Sequence, residues 1–228
     1  MSMLSVYNLN SYYGKSHVVY DVNLNVDKGE IVAIVGRNGV GKTTILKSIV
    51  SLVEKRDSEV IYNDKNITFL PTYKISRLGI GFLPDTGGVF HDLTVEENFR
   101  LAIRRGRFSY EFILDLFPQI KQLLKRKGGQ LSGGERRLVG ICRALLMNQE
   151  LLLIDEPSEG LAPSIVKEIA RIMLKLKNEG ISVLFADQNI NFIIDISDRI
   201  YVIDNGQIKA EGSKDEIDRL QLERYLSI

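Results

Sequence analysis

The stretch Gly36-Arg37-Asn38-Gly39-Val40-Gly41-Lys42-Thr43 constrains this chain more than any other. The apolar run Ile31-Val32-Ala33-Ile34-Val35 before it reads as a buried strand. Thr44-Ile45-Leu46-Lys47-Ser48-Ile49-Val50 after it reads as a helix. A glycine-spaced loop between a strand and a helix start is a phosphate cradle. Glycines let the backbone wrap closely, so that successive N–H groups point inward at phosphate oxygens. The helix presents the positive end of its dipole to the same anion. Lys42 then reaches the terminal phosphates and the Thr43 hydroxyl ligates Mg²⁺. The pattern predicts a nucleoside triphosphate site from Gly36 through Thr43, with Thr44 also among the nucleotide-binding residues.

The bulk of the sequence excludes several other classes. A formal charge of +1 leaves no basic footprint, so no nucleic-acid partner is expected. Local runs such as Arg104-Arg105-Gly106-Arg107 and Lys121 to Lys127 read as solvated faces. The single cysteine, Cys142, rules out an internal disulfide and fits a reducing compartment. Its apolar helical surroundings predict a buried, inert thiol. No apolar run reaches the ~18 to 20 residues that span a bilayer, and Met1-Ser2-Met3-Leu4-Ser5 lacks a secretion pattern. The expected location is the cytoplasm, with membrane attachment only through a partner.

At 228 residues the chain is long enough for a proper core. Residues 4–9 and 18–26 alternate apolar and polar, as half-buried antiparallel strands do. Lys55 to Asn66 is polar and turn-rich, and Ile80-Gly81-Phe82-Leu83 is a short strand. Thr94-Val95-Glu96-Glu97 is a capping box opening a helix, and from there to Met147 the reading is mostly helical. Strand signals return at Leu151 to Ile154, Ile181 to Phe185 and Ile200 to Ile203. The first two are continuous apolar runs, as parallel strands covered on both faces require. Ile165, Val166, Ile169, Ile172, Met173 and Leu176 recur at helical spacing between them. The predicted architecture is an α/β core with an N-terminal antiparallel β-subdomain and an inserted helical subdomain, approximately residues 86–149.

Two further segments carry chemistry. Leu151-Leu152-Leu153-Ile154-Asp155-Glu156-Pro157 is an apolar strand ending in two carboxylates. Asp155, at the strand tip, is placed to hold Mg²⁺ through its water shell. Glu156, one residue on, is placed to polarise a water attacking the γ-phosphate. Leu131-Ser132-Gly133-Gly134-Glu135 offers a hydroxyl and two glycine amides at a helix start, a second anion site. One nucleotide does not need two such sites in one chain; a second subunit's nucleotide would.

The order Gly36–Thr43, Leu131–Glu135 and Leu151–Pro157 resembles the ATP-binding cassette (ABC) ATPases, a P-loop NTPase family, over essentially the whole chain, residues 3–228. The resemblance implies a head-to-tail dimer in which each ATP lies between one subunit's phosphate loop and the other's signature segment. Ser132, Gly133 and Gly134 would then touch the partner's γ-phosphate, and Tyr13 would stack on adenine, with Tyr12 its competitor. Ser158-Glu159-Gly160-Leu161-Ala162-Pro163, Arg77-Leu78-Gly79-Ile80 and Ala186-Asp187-Gln188-Asn189 are similar to the shorter ATPase subunit of branched-chain amino acid importers; urea importers share most of these features. The resemblance implies ATP and Mg²⁺, membrane permease subunits, a second ABC ATPase subunit (a longer relative, or a second copy) and an extracytoplasmic solute-binding protein. It places the chain on the inner face of the cell membrane and the permease contact between Thr86 and about Arg107, with Val89, Phe90 and Leu93 as candidates. Lipid or export transporters with the same engine and a soluble ABC-type switch are the alternative readings.

Two positions depart from the general family pattern. Asp85 stands where most members carry glutamine; a carboxylate there can serve Mg²⁺, though Asp reaches roughly 1.5 Å less than the more usual Glu of the subfamily. Gln188 stands where a switch histidine is usual. It can hydrogen-bond the γ-phosphate and the attacking water but carries no imidazolium charge. The expected catalytic set is Glu156, Gln188 and Lys42, and the expected metal set is Thr43, Asp155 and Asp85. His17 and His91 read as surface or packing histidines.

Overall fold

Val32 and Ile34 face one hydrophobic core while Ile31, Ala33 and Val35, their neighbours in the chain, face another. Side chains alternate across a strand, so a strand buried on both faces has no position for a polar residue. That is why the phosphate loop is preceded by five unbroken apolar residues.

The computed structural model describes residues 2–217 and 219–227; the expected domain end, Ile228, lies outside them. Strands β1 (Ser2–Tyr13), β2 (Ser16–Asp27) and β3 (Ile31–Val35) lead into helix α1 (Lys42–Ile49). Short strands β4 (Glu54–Arg56), β5 (Glu59–Tyr62) and β6 (Lys65–Asn66) precede α2 (Thr72–Leu78) and β7 (Ile80–Leu83). Helices α3 (Val95–Ala102), α4 (Tyr110–Leu116) and α5 (Gly133–Leu146) follow, with two 3-10 segments, Pro118–Leu123 and Gly128–Gln130, before the last. The chain then runs β8 (Leu151–Asp155), α6 (Pro163–Asn178), β9 (Ser182–Asp187), α7 (Ile190–Ile196), β10 (Arg199–Asp204), β11 (Gln207–Ser213) and α8 (Arg219–Ser227).

The large sheet has the order β11-β10-β3-β9-β8-β7; all neighbours are parallel except β10 and β11. One face packs on α1, α2 and the antiparallel sheet, the other on the helices from α3 onward. The parallel strands share one direction, so the loops after β3, β9, β8 and β7 emerge along one edge in that order. Ligands bind at this carboxyl edge of open α/β sheets.

The antiparallel sheet has the order β2-β1-β5-β6, with β4 also pairing β1. The polar segment Lys55 to Asn66 thus supplies three strands. They are too short to display alternation; pairing with β1, and for β6 with β5, rather than local pattern makes them strands.

The stretch from Thr94 to Met147 is less continuously helical than its pattern implies. The expected capping box forms, Thr94 with Glu97 on α3, and Ser132 with Glu135 makes another on α5. Phe99, Ile113, Phe117 and Leu145 are fully buried between these helices, each such burial contributing about 1.5–3 kcal/mol. Cys142 is buried in the same core. Of the three candidate permease contacts, Val89 packs into that core and is no surface residue. Leu93 is half-buried and Phe90 stands out, 51% exposed.

Candidate functional site

The phosphate loop is held open by its backbone. A Cβ on Gly36 would lie 2.5 Å from the Ile203 carbonyl oxygen, so the loop leaves β3 pressed against β10. Gly41, at φ 110°, caps α1 in a conformation that only glycine adopts without strain. Among the described residues no side chain caps α1, which leaves its first-turn amides to face an anion. Gly206 N–H donates to the Val40 carbonyl at 2.9 Å and fixes the loop from the β10–β11 turn. Arg37, Asn38 and Gly39 are exposed, while Thr44 turns inward and is buried.

Lys42 lies buried inside its own loop. Its Nζ donates to the Gly36 carbonyl (2.9 Å), the Arg37 carbonyl (2.8 Å) and Asn38 Oδ1 (3.4 Å), and lies 3.8 Å from Glu156 Oε1. Burial lowers its pKa, opposed chiefly by Glu156. The arrangement is a cation held by carbonyls at the place where phosphate oxygens would replace them.

The tip of β8 closes the other side. Thr43 Oγ–H donates to Asp155 Oδ1 at 2.9 Å. Burial raises the Asp155 pKa, and the Thr43 bond opposes the rise. A hydroxyl and a carboxylate converging beside a phosphate cradle are the hard-oxygen donor set that Mg²⁺ uses with substrate phosphates and water, so Thr43 and Asp155 fit that ion. Asp85 is exposed and accepts from the Thr86 amide at 2.8 Å rather than joining the Thr43–Asp155 pair. Its negative charge is nonetheless close enough to contribute to the raised Asp155 pKa.

Glu156 is one residue beyond the strand with a left-handed backbone, φ 46°. Such a conformation costs a non-glycine residue roughly 1–2 kcal/mol. Its N–H donates to the Ala186 carbonyl of β9 at 2.8 Å. A hydrogen bond shared with Glu159, then burial, push its carboxyl up to about 7, against the pull of Lys42. A carboxyl that ionises near neutrality suits a general base.

Asp187, at the end of β9, organises this edge, and the sequence reading gave it no role of its own. Only 1% exposed, it accepts from Ser158 N–H (2.9 Å) and Ser158 Oγ–H (2.8 Å) on one side. On the other it accepts from the Gln188 and Asn189 amides at 2.7 and 2.9 Å. One buried carboxylate therefore fixes both the turn after Glu156 and the start of the Gln188 loop. The available signal was a charged residue ending an otherwise continuous apolar strand. The Gln188 side chain is half-buried and makes no hydrogen bond among the described residues.

Two predicted groups lie apart from this cluster. Ser132 caps α5, with Gly133 exposed beside it. Among the described residues no hydrogen bond joins Ser132, Gly133 or Gly134 to the phosphate loop. Tyr13, at the end of β1, is 50% exposed. Tyr12 is occupied: His17 stacks on it at 4.2 Å and Arg56 covers it at 4.5 Å. His17 is thus a packing histidine, also bonded to Asn10.

The sequence model of a family described as ABC transporter matches residues 19–159, more than half the chain and including all three motifs. The chain belongs to the ABC transporter family of ATPases. As an ABC ATPase it binds and hydrolyses ATP. It is 38% identical to the high-affinity branched-chain amino acid transport ATP-binding protein BraG of Pseudomonas aeruginosa, over 90% of this chain and 91% of that one. It is 36% identical to a probable branched-chain amino acid transport ATP-binding protein, LivF, of Archaeoglobus fulgidus, over 94% of both. It is also 36% identical to the lipopolysaccharide export ATP-binding protein LptB of Haemophilus influenzae, over 95% of this chain and 93% of that one. Among solved structures, the ADP conformation of an ATP-binding cassette of an ABC transporter superposes with a TM-score of 0.83 at 29% identity, covering 100% of this chain and 95% of that one. A cassette solved as a dimer with ADP and Pi superposes with a TM-score of 0.81 at 28% identity, covering 93% of this chain and 99% of that one. Members of the family dimerise and work with membrane permease subunits. Among the described residues, no helix of this ABC ATPase is long and apolar enough to cross a membrane.

Proposed function

We propose that this ABC ATPase energises an importer of branched-chain amino acids from the cytoplasmic face of the membrane. The observation that carries the ATPase half of the reading is the Lys42–Thr43–Asp155–Glu156 cluster at the mouth of the glycine loop. The triphosphate takes the place of the loop carbonyls around Lys42. Thr43 and Asp155 would hold Mg²⁺, which would supply positive charge to offset that of the triphosphate; Asp85 stands on the loop next to Asp155. Ionised Glu156 accepts a proton from the attacking water, the new bond forms to the γ-phosphorus, and the bridging oxygen leaves with ADP. Lys42 offsets charge on the transferred group, and Gln188 orients the water and γ-phosphate through its amide.

A similar cassette solved as a dimer with ADP and Pi supports a two-site, head-to-tail dimer. There Ser132, Gly133 and Gly134 complete the partner's site, and Tyr13 stacks on adenine. A longer relative is the favoured second subunit, and an extracytoplasmic binding protein delivers the solute. A groove of roughly 250 Å³ between α2–β7 and α5, lined in part by Leu52, Thr72, Phe82, Arg143 and Met147, receives the permease. Exposed Phe90 adjoins it, with the Arg143 guanidinium 4.8 Å from its ring centre, an apolar group of the kind that marks an interface.

The importer half rests on the BraG and LivF similarities and on the Gln188 loop. Export of a lipid is the second reading, favoured by the LptB similarity. Uptake of labelled leucine, isoleucine and valine, measured in the native cell with and without this chain, separates them. Loss of uptake supports the importer; unchanged uptake with a defective cell envelope supports export.

A further inference from the structure

Arg137 lies on α5, five residues after Ser132, about 7.5 Å along the helix axis. It is 8% exposed, yet it meets carbonyl oxygens rather than a carboxylate. Its Nη1 donates to the carbonyls of Glu156 and Pro157, both at 2.7 Å. Its Nη2 donates to the carbonyls of Glu159 (3.3 Å) and Asp85 (3.5 Å). One guanidinium thus binds three carbonyls of the turn that begins at the catalytic carboxylate and reaches a fourth in the loop after β7.

A buried cation is costly, and packing alone would be served better by an apolar side chain. The surrounding carboxylates Asp187, Asp85, Glu159 and Glu156 offset part of that cost. The rigid, planar fork of donors is what the position uses: it spans several acceptors at fixed angles, which an ammonium does not. The turn needs such a clamp. Glu156 is held in a left-handed conformation, anchored on one side by the Ala186 carbonyl, while Asp187 takes Ser158 from below. Arg137 is a further fixed point, and it comes from the helix whose first turn carries Ser132, Gly133 and Gly134.

We propose that Arg137 is a positioning residue that sets Glu156 for hydrolysis and couples it to the signature segment at the head of its own helix. On the two-site reading above, engagement of the partner's nucleotide by Ser132 displaces α5 as a rigid element. Arg137 then carries that displacement to the Glu156 carbonyl, so each subunit readies its own base when its partner's ATP is in place.

The test is Arg137→Met and Arg137→Lys in the full-length chain, with ATP affinity, steady-state hydrolysis and thermal unfolding measured side by side. The expected result for Arg137→Met is ATP affinity within about twofold of wild type, kcat lower by about 10- to 100-fold, and a Hill slope for ATP falling toward one. Arg137→Lys recovers part of kcat, because an ammonium still reaches the two nearest carbonyls. Wild-type kcat in Arg137→Met overturns the proposal. So does a loss of kcat matched by equal losses of ATP affinity and stability that Lys does not reverse. Should Arg137→Met fail to fold, Arg137→Lys decides alone: reduced kcat at unchanged affinity supports the role, and wild-type kcat overturns it. A non-cooperative wild-type chain contradicts only a two-site dimer of two copies of this chain, and the kcat ratios then decide on Arg137 by themselves.

Discussion

The Thr43 hydroxyl donates to Asp155 Oδ1 over 2.9 Å, so the first turn of α1 and the tip of β8 meet in a single hydrogen bond at the mouth of the phosphate loop. The two residues are far apart in sequence, and the parallel order β3-β9-β8 brings them together. Replacing Thr43 by Val removes one oxygen of the pair without a large change in volume. The Mg²⁺ concentration for half-maximal hydrolysis should rise about tenfold or more. Titrating Mg²⁺ at fixed ATP checks this; an unchanged midpoint would remove Thr43 from the metal set.

Glu156→Gln should keep ATP binding and lose hydrolysis by roughly 10²- to 10⁴-fold, the range of a lost general base. The amide conserves shape but cannot accept the water's proton. Single-turnover hydrolysis alongside ATP binding measures both. Fast turnover in this variant would take the base away from Glu156.

The pH dependence has a definite sign. A base acts as its carboxylate, and the Glu156 carboxyl is raised to about 7, first by its hydrogen bond with Glu159 and then by burial. Hydrolysis, read as kcat/KM, should therefore climb with pH through neutrality and level off above it. Glu159→Gln removes the neighbouring negative charge, so the rise should move to lower pH. A profile that is flat across neutrality in the parent chain would contradict this account.

Much of this architecture was legible because local pattern and tertiary role coincide. The runs Ile31–Val35 and Leu151–Ile154 are apolar on both faces because both faces are covered, and the loop glycines sit where the backbone needs them. Thr94 and Ser132 announced helix starts that form as capping boxes. What escaped depends on contacts between distant segments. Strands β4 and β5 exist through pairing with β1, and β6 through pairing with β5. Val89 could serve either a permease contact or the core of the lobe, and the packing of the helices places it inside. Asp187 and Arg137 carry no motif of their own; each gains its role from the turn it grips.

Asp187 offers a test of that last point. Replacing it by Ala leaves the Ser158 hydroxyl and three amides without their buried acceptor. Stability should fall by about 3 kcal/mol, with hydrolysis reduced because Gln188 and the turn after Glu156 lose a common anchor. Urea unfolding and turnover measure the two effects. A change in stability below about 0.5 kcal/mol, the size of an ordinary surface substitution, would refute the anchor.

Cys142 is buried, and burial pushes its thiol pKa up. In the native chain it should resist thiol reagents, with labelling appearing only as urea unfolds the protein. Rapid labelling without denaturant would show that the core around α5 opens readily.

The central claim, an ATPase that works on a membrane permease, is tested most directly by purifying the chain from solubilised membranes of its native cell. Mass spectrometry would then identify what accompanies it. Permease chains and a second, longer ATPase are expected in stoichiometric amounts. Recovery only from the soluble fraction, alone or with ribosomes, would contradict it.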